Sequence, residues 1–187
     1  LVVPKHGNTA PSVSTACWGD SVIIVPWELY KNYGDKEILE KMYPAMLSYM
    51  RSVKFFSSLS GFGKRRYVWK WLFQFGDWCA PEGYVKDWMA RGKWIATAYY
   101  ANSCRIMSEI SKLLGKEKEC KYFSGLLKKI CNAYEALFTD GNGKLKNEFQ
   151  SAYVLPIAFD MISDEKKRKM TDNLVRLLEK SDWHITT

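Results

Sequence analysis

Long apolar runs are missing from this 187-residue chain: no stretch approaches the ~20 consecutive apolar residues that cross a bilayer, so membrane insertion is not expected. Glycine (12) and proline (6) are sparse, which excludes collagen-like and low-complexity character. Histidine occurs only twice, and the five cysteines (Cys17, Cys79, Cys104, Cys120, Cys131) contain no C-x-x-C pair. Neither a zinc site nor a redox dithiol is indicated, and no metal or cofactor is expected. An odd cysteine count in a chain too long to need disulfide staples reads instead as free, buried thiols. An initiator Met, a basic n-region and a long apolar h-region are also absent from Leu1-Val2-Val3-Pro4-Lys5-His6, so the sequence reads as cut from the middle of a longer chain. Negative charge is scarce, with 20 Asp and Glu against 28 Lys and Arg, a net +8. The basic residues are scattered along helices, and the runs Lys64-Arg65-Arg66 and Lys166-Lys167-Arg168-Lys169 read as solvated surface, so no nucleic-acid partner is expected. What is abundant is apolar and aromatic: 47% hydrophobic and 15% aromatic residues, including eight Trp, which excludes intrinsic disorder.

The periodicity predicts six helices and almost no strand, an all-α chain. The first, about 20–33, is apolar nearly all round through Val22, Ile23, Ile24, Val25, Trp27, Leu29 and Tyr30, and is expected to be buried on every side. Pro26 should kink it or mark an early turn. Gly34 stops it and Asp35 caps the second, about 36–56, which is one-sided through Ile38, Met42, Met46, Tyr49 and Val53. The alternation repeats in 93–114 and 117–138, then in 150–162 and 164–180. Each inner-to-outer junction is a short turn (Tyr33-Gly34-Asp35, Leu114-Gly115-Lys116, Ile162-Ser163-Asp164), so the helices pair as three antiparallel αα-hairpins. Three hairpins in series form either an α-solenoid or a sector of a toroid. The irregular connection 57–92 is too long for a repeat turn, and such stretches are often functional.

Every loop that leads into an inner helix returns to one face of the array. Those loops collect six of the eight Trp (Trp18, Trp69, Trp71, Trp78, Trp88, Trp183) with Asp20, Asp77, Glu82, Asp87, Glu148, Asp182 and His184. Indole planes beside carboxylates suit a sugar, whose apolar face stacks while its hydroxyls donate. Asp20 alone also fits a helix N-cap. The paired patterns Trp18-Gly19-Asp20 and Gly76-Asp77-Trp78 on one face favour a ligand site.

The stretch Ala16-Cys17-Trp18-Gly19-Asp20-Ser21-Val22-Ile23-Ile24-Val25-Pro26-Trp27-Glu28-Leu29-Tyr30, closing on Tyr33-Gly34-Asp35, resembles the inner-helix segment of bacterial α-L-rhamnosidases, inverting glycoside hydrolases with an (α/α)6 barrel. Phe75-Gly76-Asp77-Trp78-Cys79-Ala80-Pro81 resembles the family's G-D-W segment. Ala96-Thr97-Ala98-Tyr99-Tyr100, Gln150-Ser151-Ala152-Tyr153-Val154-Leu155 and His184-Ile185-Thr186-Thr187 are similar to its later motifs, in family order. The resemblance implies residues 1–187 to be part of a single (α/α)6 catalytic domain, about half a barrel truncated at both ends. It implies substrate contacts from Trp18, Asp20, Asp77, Trp78, Glu148 and His184, and a rhamnose-containing glycan or glycoside as ligand. The remainder of the catalytic domain would be a second partner. It also implies that the general acid, in a D-x-x-x-R-x-E segment upstream, and the general base, beyond H-x-T-T, lie outside these residues. Inversion needs both carboxyls, roughly 6.5–9.5 Å apart, so the segment alone is expected to be inactive. A half barrel would also leave its inner helices partly uncovered, with association or poor solubility as the result. Another (α/α)6 glycosidase, or a non-catalytic helical scaffold binding a partner through the Trp-rich face, are the alternatives. The bacterial cytoplasm and periplasm both remain open.

Overall fold

A computed structural model describes residues 15–71, 73–78, 80 and 83–185. Among them are seven α-helices and no strand: α1 Ser21–Tyr33, α2 Lys36–Ser58, α3 Val85–Ala90, α4 Gly92–Leu113, α5 Glu117–Phe138, α6 Gln150–Ala158 and α7 Asp164–Lys180. The hairpins α1–α2, α4–α5 and α6–α7 are the three expected ones. Their ends follow the local chemistry. Gly34 takes the left-handed φ of 71° and donates its N–H to the Tyr30 carbonyl, and the Asp35 carboxylate accepts the Ile38 N–H at 3.1 Å. After α5, the Asp140 carboxylate accepts N–H groups from Asn142 and Lys144, closing the tight turn between Thr139 and Leu145.

The long connection is more ordered than the periodicity indicates. It holds a 3-10 turn, Gly63–Tyr67, and the six-residue α3, both too short to show a repeat. Tyr84 N–H donates to the Asp87 carboxylate at 2.9 Å, so Asp87 serves the start of α3.

Helix α4 is the inner helix of the middle hairpin. It packs on α5, α1, α6 and α2, and buries Trp94, Ala96, Ala98, Tyr100, Ala101, Cys104, Met107 and Ile110. Its small residues let neighbours approach closely. Ile110 and Ile130 across the hairpin, with Leu39 and Met46 from α2, are fully buried; each contributes about 1.5–3 kcal/mol relative to exposure.

Helix α1 departs from the expectation of burial on every side. Only Val22, Ile23 and Pro26 are buried, while Val25, Leu29 and Tyr33 are exposed. The reason is its place in the array: α1 packs chiefly against α2 and α4, which leaves one flank open among the described residues. Helix α6, at the other side of α4, likewise exposes Val154. Pro26 lies within an unbroken α1, costing it one backbone bond rather than ending it. The thiols also divide. Cys104 is buried, Cys120 and Cys131 are half-buried, Cys17 is exposed, and all four are free; Cys79 lies outside the described residues.

Candidate functional site

The loops 15–20 and 73–78, the first half of α4 and the start of α6 enclose a cavity of about 520 Å³. Trp18, 56% exposed, and Trp78, 42% exposed, line it as open indole surfaces. Phe75 stands between them, edge-to-face with both, at centroid distances of 6.1 Å and 5.3 Å. Trp88 backs Trp78 at 5.7 Å. The rings thus brace one another in the geometry their quadrupoles prefer.

Two tight backbone approaches set this arrangement. Gly76 has φ 65° and lies so close to the Trp88 carbonyl that a Cβ would come within 1.8 Å of that oxygen. A Cβ on Gly92, at the start of α4, would come within 2.8 Å of the Gln74 Cβ. The Gln74 side-chain oxygen accepts the Ala16 N–H at 2.9 Å, tying the two loops together.

Asp77 lines the cavity but is only 4% exposed. One oxygen accepts from Arg91 Nη1 at 3.0 Å and the other from the Ser151 hydroxyl at 2.6 Å. Arg91 in turn lies over the Phe149 ring, 4.9 Å from its centroid. Asp77 therefore links the α3–α4 junction to α6 across the site. Arg91 had no pattern to mark it in sequence, since nothing in a loop arginine's spacing names its partner. Tyr99 and Ser151, also lining the cavity, sit inside motifs whose role was readable only as helix starts.

Asp20 is placed differently from the expectation of a substrate contact. It is fully buried beneath the cavity wall, and its side chain does not cap α1. Its carboxylate accepts the Ser103 hydroxyl at 2.5 Å and the Cys17 N–H at 2.9 Å. Cys17 holds φ 70°, a strained value for a side-chain-bearing residue. Asp20 thus fixes the left-handed residue that turns Trp18 outward. Burial raises the Asp20 pKa, opposed by hydrogen bonds from Ser103, Cys17 and Tyr49. A raised value means that the ionised form is disfavoured in the fold, so this group's contribution falls as pH rises from the ordinary carboxylate value through the raised one. Asp20→Asn lacks that slope. In urea titrations from about pH 3 to pH 7 the wild type should lose midpoint relative to the variant; a wild type that gains relative to it would contradict the assignment.

Glu148 and His184 are not part of the cavity lining. Glu148 accepts from the Tyr153 hydroxyl at 2.8 Å and stands 3.7 Å from the Lys144 ammonium. The His184 side chain is exposed; its backbone carbonyl accepts from Gln150 Nε2 at 2.9 Å, which brings Ile185 to the cavity edge. The six loop tryptophans also separate. Trp69 is a core residue whose backbone N–H donates to the Thr97 hydroxyl, and the Trp71 indole donates to the Leu59 carbonyl at 2.6 Å. Trp183 is exposed away from the lining, so Trp18 and Trp78 alone face the cavity, with Trp88 behind. Chain position put all six in loops, but only packing decides which ring turns inward. Asp182 is exposed, and Glu82 lies outside the described residues. Among the described residues no cluster of three or more His, Cys, Asp or Glu could hold a metal, and no helix is long and apolar enough to cross a membrane.

The model of the bacterial alpha-L-rhamnosidase 6 hairpin glycosidase domain matches residues 1–187. An alpha-L-rhamnosidase of Streptomyces avermitilis is 32% identical over 186 residues, all of this chain and 16% of the relative. One of Formosa agariphila is 29% identical over 180 residues, 91% of this chain and 18% of the relative. The chain therefore spans about a sixth of the length of these curated relatives. Among solved structures, the Streptomyces avermitilis alpha-L-rhamnosidase complexed with L-rhamnose superposes with a TM-score of 0.76 at 30% identity, over 92% of this chain and 15% of that one. The Aspergillus terreus enzyme superposes with a TM-score of 0.80 at 26% identity, over 97% of this chain and 21% of that one.

Proposed function

The chain belongs to the bacterial alpha-L-rhamnosidase six-hairpin glycosidase family, and we propose that it forms the sugar-stacking sector of an enzyme that hydrolyses terminal α-L-rhamnose with inversion. The observation that carries this reading is the pair of open indoles, Trp18 and Trp78, braced through Phe75 on one cavity. Their faces would take the apolar side of the pyranose, leaving its hydroxyls for polar neighbours.

The carboxylates here fit positioning better than proton transfer. Asp77 is the one carboxylate lining the cavity among the described residues, and both its oxygens are engaged. Asp20 is enclosed and Glu148 is elsewhere. An inverting hydrolase needs one carboxyl to protonate the leaving oxygen and another to activate water on the opposite face of the ring. Both would come from the rest of the domain. The segment would be three of six hairpins, and the open flanks of α1 and α6 would meet the remaining ones. Expressed alone, it should associate; a sharp monomer in sedimentation with a cooperative melt would argue against the open half ring.

In the full-length protein, Trp78→Ala and Trp18→Ala should each lower kcat/KM on an aryl α-L-rhamnoside by roughly 10- to 100-fold, while Trp71→Phe leaves it unchanged. Rhamnose, and not glucose, should quench the Trp fluorescence. Unchanged rates in both alanine variants would sink the stacking assignment; quenching by glucose alone would point to another sugar.

A further inference from the structure

A second cavity, of about 370 Å³, is lined from α2, the 3-10 turn, α4 and α5 and shares no lining residue with the Trp cavity. Its rim carries four cations from three elements: Lys54 of α2, Arg66 of the 3-10 turn, and Lys121 and Lys129 of α5. No acidic residue lines it. Among the described residues none of the four has a carboxylate within ion-pair distance, whereas ten such pairs form elsewhere. Instead three of them rest on aromatic rings. Lys54 lies 5.0 Å from the Tyr122 centroid, and Arg66 and Lys129 lie 5.9 Å and 6.0 Å from that of Tyr67. Stacking of this kind holds the charged heads in place without neutralising them.

Two further features make this more than a basic surface. The floor is Tyr100, 1% exposed, whose hydroxyl makes no hydrogen bond of good geometry and has Ser57 beside it. Gly125 sits in the middle of α5, where glycine costs a helix roughly 0.5–1 kcal/mol relative to Ala. No packing demand explains it, since a Cβ there would meet nothing within 4 Å. What the missing side chain leaves is room at the cavity wall.

We propose that this cavity, formed by Lys54, Arg66, Lys121 and Lys129 around Gly125, binds a tetrahedral oxyanion, phosphate or sulfate, either free or as an ester on a glycan. Like charges converging without counter-charge repel one another, and a single carboxylate would leave most of that repulsion in place. A dianion with oxygens in several directions answers donors arriving from three elements at once. The site is independent of the reading given above for the Trp cavity.

The test uses the full-length protein and millimolar sodium phosphate and sodium sulfate, against sodium chloride at matched ionic strength. Calorimetric titration should show saturable binding of the dianions and none of chloride. Arg66→Gln with Lys129→Gln should weaken it at least tenfold. Lys128→Gln, which removes the same charge from an exposed position of α5 outside the cavity, should leave it unchanged. Gly125→Leu should fill the cavity and abolish binding while the helix content and melting temperature hold or rise. Absence of saturable binding, or binding unaltered in the double variant or in Gly125→Leu, overturns the proposal. A sulfated oligosaccharide that binds more tightly than inorganic sulfate identifies an ester as the source, and weaker binding identifies the free ion; either result supports the site.

Discussion

Gly76→Ala should dismantle the Trp cavity and destabilise the chain by about 3 kcal/mol or more, a large effect for one methyl group. Two independent penalties combine. The φ of 65° is unfavourable for any side-chain-bearing residue, costing about 1 kcal/mol or more. The added Cβ would also sit 1.8 Å from the Trp88 carbonyl oxygen, a backbone atom that no rotamer change can move. Relief requires the strand of loop around 73–78 to lift from the C-terminal end of α3. That would break the Asp77 N–H bond to Trp88 and pull Phe75 out from between Trp18 and Trp78. In the full-length protein, denaturant titration should show the loss of stability, and hydrolysis of an aryl α-L-rhamnoside should fall by more than the single Trp78→Ala change produces. Retained stability with retained activity would show that the loop has slack which the present geometry does not contain.

Arg91→Ala carries the other large effect, an expected loss of about 3–5 kcal/mol. Arg91 and Asp77 form a pair whose side chains are 17% and 4% exposed, so deletion of the guanidinium leaves an enclosed carboxylate with the Ser151 hydroxyl as its one side-chain donor among the described residues. The contact over Phe149 is lost as well. The companion variants separate charge from packing. Asp77→Asn keeps one acceptor oxygen for Arg91 and can donate its amide to the Ser151 hydroxyl oxygen, and should be milder. Arg91→Met with Asp77→Leu, which removes both charges and keeps volume, should recover most of the lost stability, as buried pairs replaced by apolar residues commonly do. Such a double variant would nonetheless lack the polar edge of the cavity. Equal losses in Arg91→Ala and the double variant, read as shifts in urea midpoint, would mean that packing rather than the unpaired carboxylate dominates.

The hairpin plan was readable because helix periodicity and the end signals Gly34, Asp35 and Gly115 are local and agree with each other. The boundaries of α2, α4, α5 and α7 fall within two residues of the sequence estimate. What local pattern could not supply was lateral position. Helix α1 is as apolar as α4, yet one has an exposed flank and the other does not, because enclosure depends on neighbours remote in sequence. The candidate site was legible in its tryptophans, since W-G-D and G-D-W both stand in loops that lead into the inner helices α1 and α4. The roles of its carboxylates were not. Asp20 and Asp77 look alike in sequence; one supports a strained turn from below and the other ties the α3–α4 junction to α6 with an arginine that no motif announces. Glu148 and His184 are near the right face by chain position, but their side chains turn elsewhere.

The bonds that hold the site together have a consequence for the order in which the molecule assembles. Each hairpin closes across a turn of a few residues, a step that costs little chain entropy and can proceed as soon as both helices exist. The Ala16–Gln74, Asp77–Ser151 and Asp20–Ser103 bonds join residues 58, 74 and 83 positions apart. The last two can form only once separate hairpins have docked. The scaffold is thus complete before the wall of the Trp cavity, and the same separation makes that wall the first part to loosen when the hairpins shift against one another.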